Sequence, residues 1–194
     1  MEVALLQRLA GAIYRRSQRF ATPSTIAVAG ALWAVAALIV VVLQARVSAD
    51  APGLPVPDVV PLYTPQDLYR LLEQYGASGR SAFLTFALYD VFYPFVAYGF
   101  ATLALVGLLR PRLPSHPTWT ALLLLPAGGL IVELLEQAGF LIVLAFFPAR
   151  IVPVAWATAV LSVFKLTLLL GLLLALAILL CWRVGSRGRP PAGR

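Results

Sequence analysis

Charge is scarce in this chain. Only 12% of its 194 residues are Asp, Glu, Lys or Arg, roughly half the share usual in soluble domains. Cysteine and histidine are scarcer still, with one of each, Cys181 and His116. A lone cysteine excludes an intrachain disulfide and a dithiol redox motif, and so argues against thiol–quinone chemistry of the paired-cysteine kind. The single histidine stands in "RLPSHPTW", a stretch expected to be an exposed loop. That excludes a histidine-based metal centre or a Ser-His-Asp triad within the apolar runs. The chain also has no Walker loop, no Gly-x-Ser-x-Gly elbow and no Cys-x-x-Cys.

What the chain has is apolar surface. Hydrophobic residues make up 61% of it and the mean hydropathy is +0.89. With long apolar runs, these values point to an integral membrane protein with one helical bundle, residues 1–194, and no second domain. A span needs about 20 apolar residues at about 1.5 Å rise each. Four stretches qualify: Thr25–Leu43, Ala82–Leu109, Trp119–Phe147 and Val154–Trp182. The expected fold is therefore an all-α, four-helix transmembrane bundle. The last three stretches exceed the minimum, and Pro94 and Pro126 are expected to kink the second and third, since each removes a backbone hydrogen bond.

The formal charge is +7, but the arginines flank apolar runs and do not form a polar module, so no nucleic-acid partner is expected. Ten arginines lie in the N-terminal segment, the 110–118 loop and the tail, against four on the other side (Arg46, Arg70, Arg80, Arg150), where Asp50, Asp58, Asp67 and Glu73 offset them. By the positive-inside rule both termini are cytoplasmic and the protein resides in the cell (inner) membrane. Trp119 and Trp182 then fall near the inner interface and Trp156 near the outer one. "VSADA" (47–51) is a passable cleavage site, but the long segment before the first run reads as an uncleaved anchor.

Two flanking segments carry helical signals. In residues 1–20, Leu6, Leu9, Ala10 and Ile13 recur at helical spacing among arginines. That fits an amphipathic helix on the inner leaflet or, equally, an arginine-rich topology signal. The external segment, about 47–81, begins proline-rich and continues as "TPQDLYRLLEQYG". Here Thr64 reads as an N-cap, Pro65 as the first helical position, Asp67 as the partner in a capping box and Gly76 as the stop. Leu68, Leu71, Leu72 and Tyr75 form its apolar stripe, so a short helix is expected across the outer mouth, either as a cover or as a lid over an internal site.

Four ionisable residues fall inside the spans: Asp90, Glu133, Glu136 and Lys165, the last being the chain's only lysine. A charge at the bilayer centre costs about 2.5–3.5 kcal/mol. Their depths agree, and so does their helical phase. Glu133, Glu136 and Gln137 share a face with Gly129 and Phe140, and Gly128 and Gly129 would admit a neighbouring helix. Thr158, Ser162 and Lys165 share another face. Asp90 sits with Tyr93, Pro94 and Ala97, beside Tyr89 and a turn from Tyr98. The expectation is one buried cluster in which Lys165 pairs with one acid and at least one further carboxyl is protonated or balanced by a cation. Candidate ligand or ion-binding residues are therefore Asp90, Glu133, Glu136, Gln137, Lys165, Tyr89, Tyr93 and Ser162. A carboxylate-only metal site could be built from Asp90, Glu133 and Glu136, but no metal is assigned, and no cofactor is read. A buried network that only fixes helix register remains open.

"YTPQDLYRLLEQYGASGRSAFLTFALYDVFYP", then "ELLEQ" and "SVFK", resembles a pattern in uncharacterised bacterial four-span membrane proteins, through Tyr63, Thr64, Gly79, Arg80, Asp90, Pro94, Glu133, Glu136 and Lys165. The resemblance implies that the charged positions belong together and imports no activity. Two functions follow as expectations. One is a membrane protein that binds or handles a proton, ion or small or lipidic ligand, a transporter of this size requiring a homodimer. The other is a non-enzymatic accessory or assembly subunit of a larger membrane complex. An intramembrane lipid enzyme is a distant third, for want of a convincing nucleophile–base pair.

Overall fold

A computed structural model describes residues 2–110 and 117–187. Arg112, His116, Arg189 and Arg194, read above as loop and tail residues, lie outside the described residues, as does the side chain of Arg187. Among the described residues every regular element is helical. The α-helices are α1 (Glu2–Ser17), α2 (Pro23–Asp50), α3 (Pro65–Gln74), α4 (Gly76–Tyr89), α5 (Tyr93–Leu109), α6 (Leu124–Phe146) and α7 (Val152–Arg187). Short 3-10 turns occupy Pro57–Val59 and Pro117–Leu123. Four segments are long and apolar enough to cross a membrane: Pro23–Asp50, Gly76–Leu109, Trp119–Phe146 and Val152–Val184.

The second span is not one helix, as expected, but two. Proline at position 94 has no N–H and its ring would collide with the carbonyl four residues back, at Asp90. The helix accordingly ends at Tyr89, with Asp90 N–H bonded to Phe86 O at 2.9 Å and Phe92 N–H to Tyr89 O at 2.9 Å, and restarts at Tyr93. Pro126 does not kink the third span. It falls in the first turn of α6, where a backbone N–H has no intrahelical partner anyway. The first span runs beyond Leu43 to Asp50, because Val47 packs in one core with Leu68, Tyr69, Leu72 and Tyr75.

The bundle has an apolar core at each end. At one end α3 lays Leu68, Tyr69, Leu72 and the following Tyr75 on Phe83, Phe86, Phe140, Val143 and Ala155. Leu71 only borders this core, and Tyr69 takes the inward position that the stripe assigned to it. The N-terminus of α3 is capped as expected. The Thr64 side chain accepts from Asp67 N–H, and Asp67 Oδ2 accepts from Thr64 N–H at 3.0 Å. Those bonds hold the exposed Asp67 carboxyl below its usual range. Gly76 has φ +63°, a left-handed turn that lets α4 start straight after α3. At the other end Leu105, Leu109, Leu123, Leu172 and Leu179 meet, with Ile13 and Tyr14 of α1 packed on them. Trp119 and Trp182 meet there at a tilt of 35°, with centroids 5.1 Å apart. The first helix thus docks through Ala10, Ile13 and Tyr14, while Leu5, Leu6 and Leu9 stay exposed.

Between the two cores α6 and α7 pack closely. A Cβ on Gly139 would lie 2.0 Å from Thr158 Oγ1 and 3.1 Å from its Cβ, and one on Gly129 would lie 2.6 Å from the Tyr98 ring. Gly128 makes only ordinary contact with Leu168 at 3.6 Å. The close approach between α6 and α7 therefore centres on Gly139, ten residues along from the glycine pair singled out in the sequence.

Candidate functional site

Lys165 anchors the buried cluster. Its ammonium lies 2.5 Å from Asp58 Oδ1 and 2.7 Å from Glu136 Oε2, and it donates to the Asp58 backbone carbonyl at 3.2 Å. Two hydrogen bonds to Asp58 and the ion pair to Glu136 engage it. Ser162, one turn earlier on α7, donates a short hydrogen bond to Glu136 Oε1. Its single proton is then spent, so Tyr63 O–H, 3.0 Å away, donates to the Ser162 oxygen. Burial pushes the Tyr63 hydroxyl pKa up, which keeps it a donor.

Two more carboxylates have only neutral donors. Gln137 Nε2 donates to Asp90 Oδ2 at 2.6 Å and, more weakly, to Asp58 Oδ1 at 3.3 Å. Tyr98 O–H donates to Glu133 Oε2 at 2.9 Å. Among the described residues neither Asp90 nor Glu133 has an ion-pair partner. One carboxylate oxygen from each of Asp58, Asp90 and Glu133 lies within 4.8 Å of the other two. Four carboxylates against one ammonium leave a formal charge of −3 when all are ionised. Such an excess in a desolvated site is expensive unless protons or a cation compensate it. The acceptor excess extends to Gln137 Oε1, which is buried and has no hydrogen-bond partner.

Backbone geometry places these groups. The break after Tyr89 turns Asp90 inward, 2% exposed, beside Gln137. The close approach at Gly139 brings α7 near enough for Ser162 and Lys165 to reach Glu136.

A cavity of about 520 Å³ ends on this cluster. Asp58, Glu133 and Lys165 form its polar end with Tyr93 and Tyr98. Leu166, Leu169, Leu172, Leu173 and Leu176 of α7 line the rest, facing Ala97, Phe100 and Ala101 of α5. Trp33, Leu169 and Leu173 in this lining are themselves exposed, so the cavity opens sideways on the bundle's apolar surface.

The structure brings together Asp90, Glu133, Glu136, Gln137, Lys165 and Ser162. Tyr93 borders the cavity, and its hydroxyl accepts from Trp33 Nε1 at 3.1 Å. Tyr89 instead donates to Ala36 O at 3.1 Å and so ties the helix break to α2. The sequence reading missed Asp58, which it had counted among the external charges. The signal was an acid flanked by Pro57 and Val59 in an apolar, proline-rich stretch, where an exposed loop needs no such packing. Asp58, on the Pro57–Val59 turn, caps the cluster; α3 covers the neighbouring core. Tyr63 and Tyr98 also belong to the network, each supplying a hydroxyl to a buried oxygen.

No protein-family model matches the chain, and no curated protein or solved structure shows significant similarity to it.

Proposed function

We propose that this chain is a multi-pass protein of the cell membrane, with both termini cytoplasmic, that binds a small ligand at its acid–lysine cluster. The observation that carries this reading is the cavity that opens on the apolar surface and ends on Asp58, Glu133 and Lys165. A clamp that merely fixed helix register would be served by matched charges or by apolar packing. This cluster has an excess of acids and an open side. The bias of arginines toward one end supports the orientation.

Binding is favoured over catalysis because the serine that lies beside a carboxylate in the cluster already has its proton committed. Ser162 donates to Glu136, Glu136 pairs with Lys165, and Tyr63 bonds the Ser162 oxygen. The accessory-subunit alternative draws on the outward aliphatic surface of α2 and α7, which lipid would cover equally well.

Purification in mild detergent tests the reading. A small monodisperse species whose unfolding midpoint moves with pH and with added cationic or amphiphilic compounds supports it. Stable co-purifying subunits, together with a midpoint indifferent to all of these, would sink it.

A further inference from the structure

We propose that the occupant is a cationic amphiphile, a primary amine on a long apolar body, with its ammonium on Asp58 and Glu133 at the cavity's polar end and on Asp90 behind them, and its tail along α5 and α7. This rests on the ligand-site reading above and adds the chemical class.

The head follows from the geometry of the acceptors. An ammonium has three donors in tetrahedral directions. Charge-assisted N–H···O bonds of about 2.8 Å then place three acceptor oxygens about 4.6 Å apart. The carboxylate oxygens of Asp58, Asp90 and Glu133 lie within 4.8 Å of one another. Lys165 is already engaged by two hydrogen bonds to Asp58 and an ion pair to Glu136, and it pairs with neither Asp90 nor Glu133. The carboxylates of Asp90 and Glu133 are held only by the Gln137 amide and the Tyr98 hydroxyl. Gln137 is fully buried and its amide nitrogen bridges Asp90 and Asp58, while Oε1 lacks a donor. Asp90 is 2% exposed and does not line the cavity, so an incoming ammonium reaches it only by displacing the Gln137 amide as its donor; rotation of that amide would then offer Oε1 as a further acceptor.

The tail follows from the cavity. From Lys165 to Leu176 the wall of α7 rises about 16 Å, close to half of a hydrocarbon core about 30 Å thick. Its lining beyond the cluster is apolar and open sideways. A bare metal ion would fill the acidic end and leave this channel empty. A phosphate head is disfavoured, because no arginine lines the cavity and the surplus carboxylates repel it.

The test is thermal unfolding of the full chain in mild detergent with hexadecylamine, hexadecyl phosphate, butylamine or calcium chloride. Hexadecylamine is expected to raise the midpoint saturably, and the other three are not. Glu133→Gln should weaken the apparent affinity for hexadecylamine at least about tenfold, as loss of one partner from a buried charge pair does. Leu169→Trp, which fills the channel and leaves the charges alone, should abolish the response. If butylamine or calcium chloride matches hexadecylamine, the amphiphile inference falls and the ligand-site reading stands. If hexadecylamine acts equally on both variants, its effect is on the detergent and the inference falls. If no probe moves the midpoint and Glu133→Gln changes nothing, both fall.

Discussion

Both α2 and α6 belong to segments of 28 residues, each long enough to cross a bilayer. The most apolar stretch of α2 has a mean hydropathy of 2.8 and, Ala36 apart, is not buried in the bundle; the α6 segment has a mean hydropathy of 1.9 and is 33% buried. Val28, Leu32, Val35 and Leu38 of α2 face outward. Glu136, Gln137, Phe140 and Val143 of α6 face inward. The segment that announces itself most loudly as a span contributes least to the interior. The segment that tolerates two glutamates and a glutamine forms a wall of the site. In a bilayer, aliphatic side chains gain little by turning inward, whereas polar ones must.

The sharpest way to break this contrast is Lys165→Met. It leaves Asp58 and Glu136 buried without their cation and should cost about 3–5 kcal/mol. Thermal unfolding in detergent measures it, and adding Glu136→Gln should recover part of the loss. Next comes Gly139→Ala, whose new methyl meets Thr158; forcing α6 and α7 apart should cost about 1–3 kcal/mol. Thr64→Ala, which removes the cap of α3, should cost about 1 kcal/mol. The Asp67 pKa is depressed in the folded chain. The stability it adds is therefore present above its unfolded value of 3.8 and is lost as pH falls through the lower folded value. An acid titration should show this loss in the parent chain and not in Asp67→Asn. Last, Leu38→Ala on the outer face of α2 should change stability by no more than about 0.5 kcal/mol. A large effect there would mean that α2 meets a protein surface, as an accessory subunit would.

Local signals were legible in the sequence. The cap at Thr64, the stop at Gly76 and the shared faces of Glu133–Gln137 and Thr158–Lys165 depend on spacings of a few residues. Long-range pairing was not. Asp58 and Lys165 are 107 positions apart, and nothing in a hydropathy profile draws a loop acid into a bundle. The second span read as one kinked helix because Pro94 announces a disturbance but not its size. What makes the break tolerable is Gln137, which receives Asp90 from across the bundle. The polar end of α2 read as loop because Val47 has a reason to be helical only once the following segment, through Tyr75, folds over it.

Native mass spectrometry of the chain extracted from its own membrane tests the central claim most directly, with Glu133→Gln of matched thermal stability alongside. A binding site predicts that the parent chain carries a small bound molecule and that the variant has lost most of it. Equal loading of the two, or two empty chains, would contradict the account and leave the cluster as a clamp between helices.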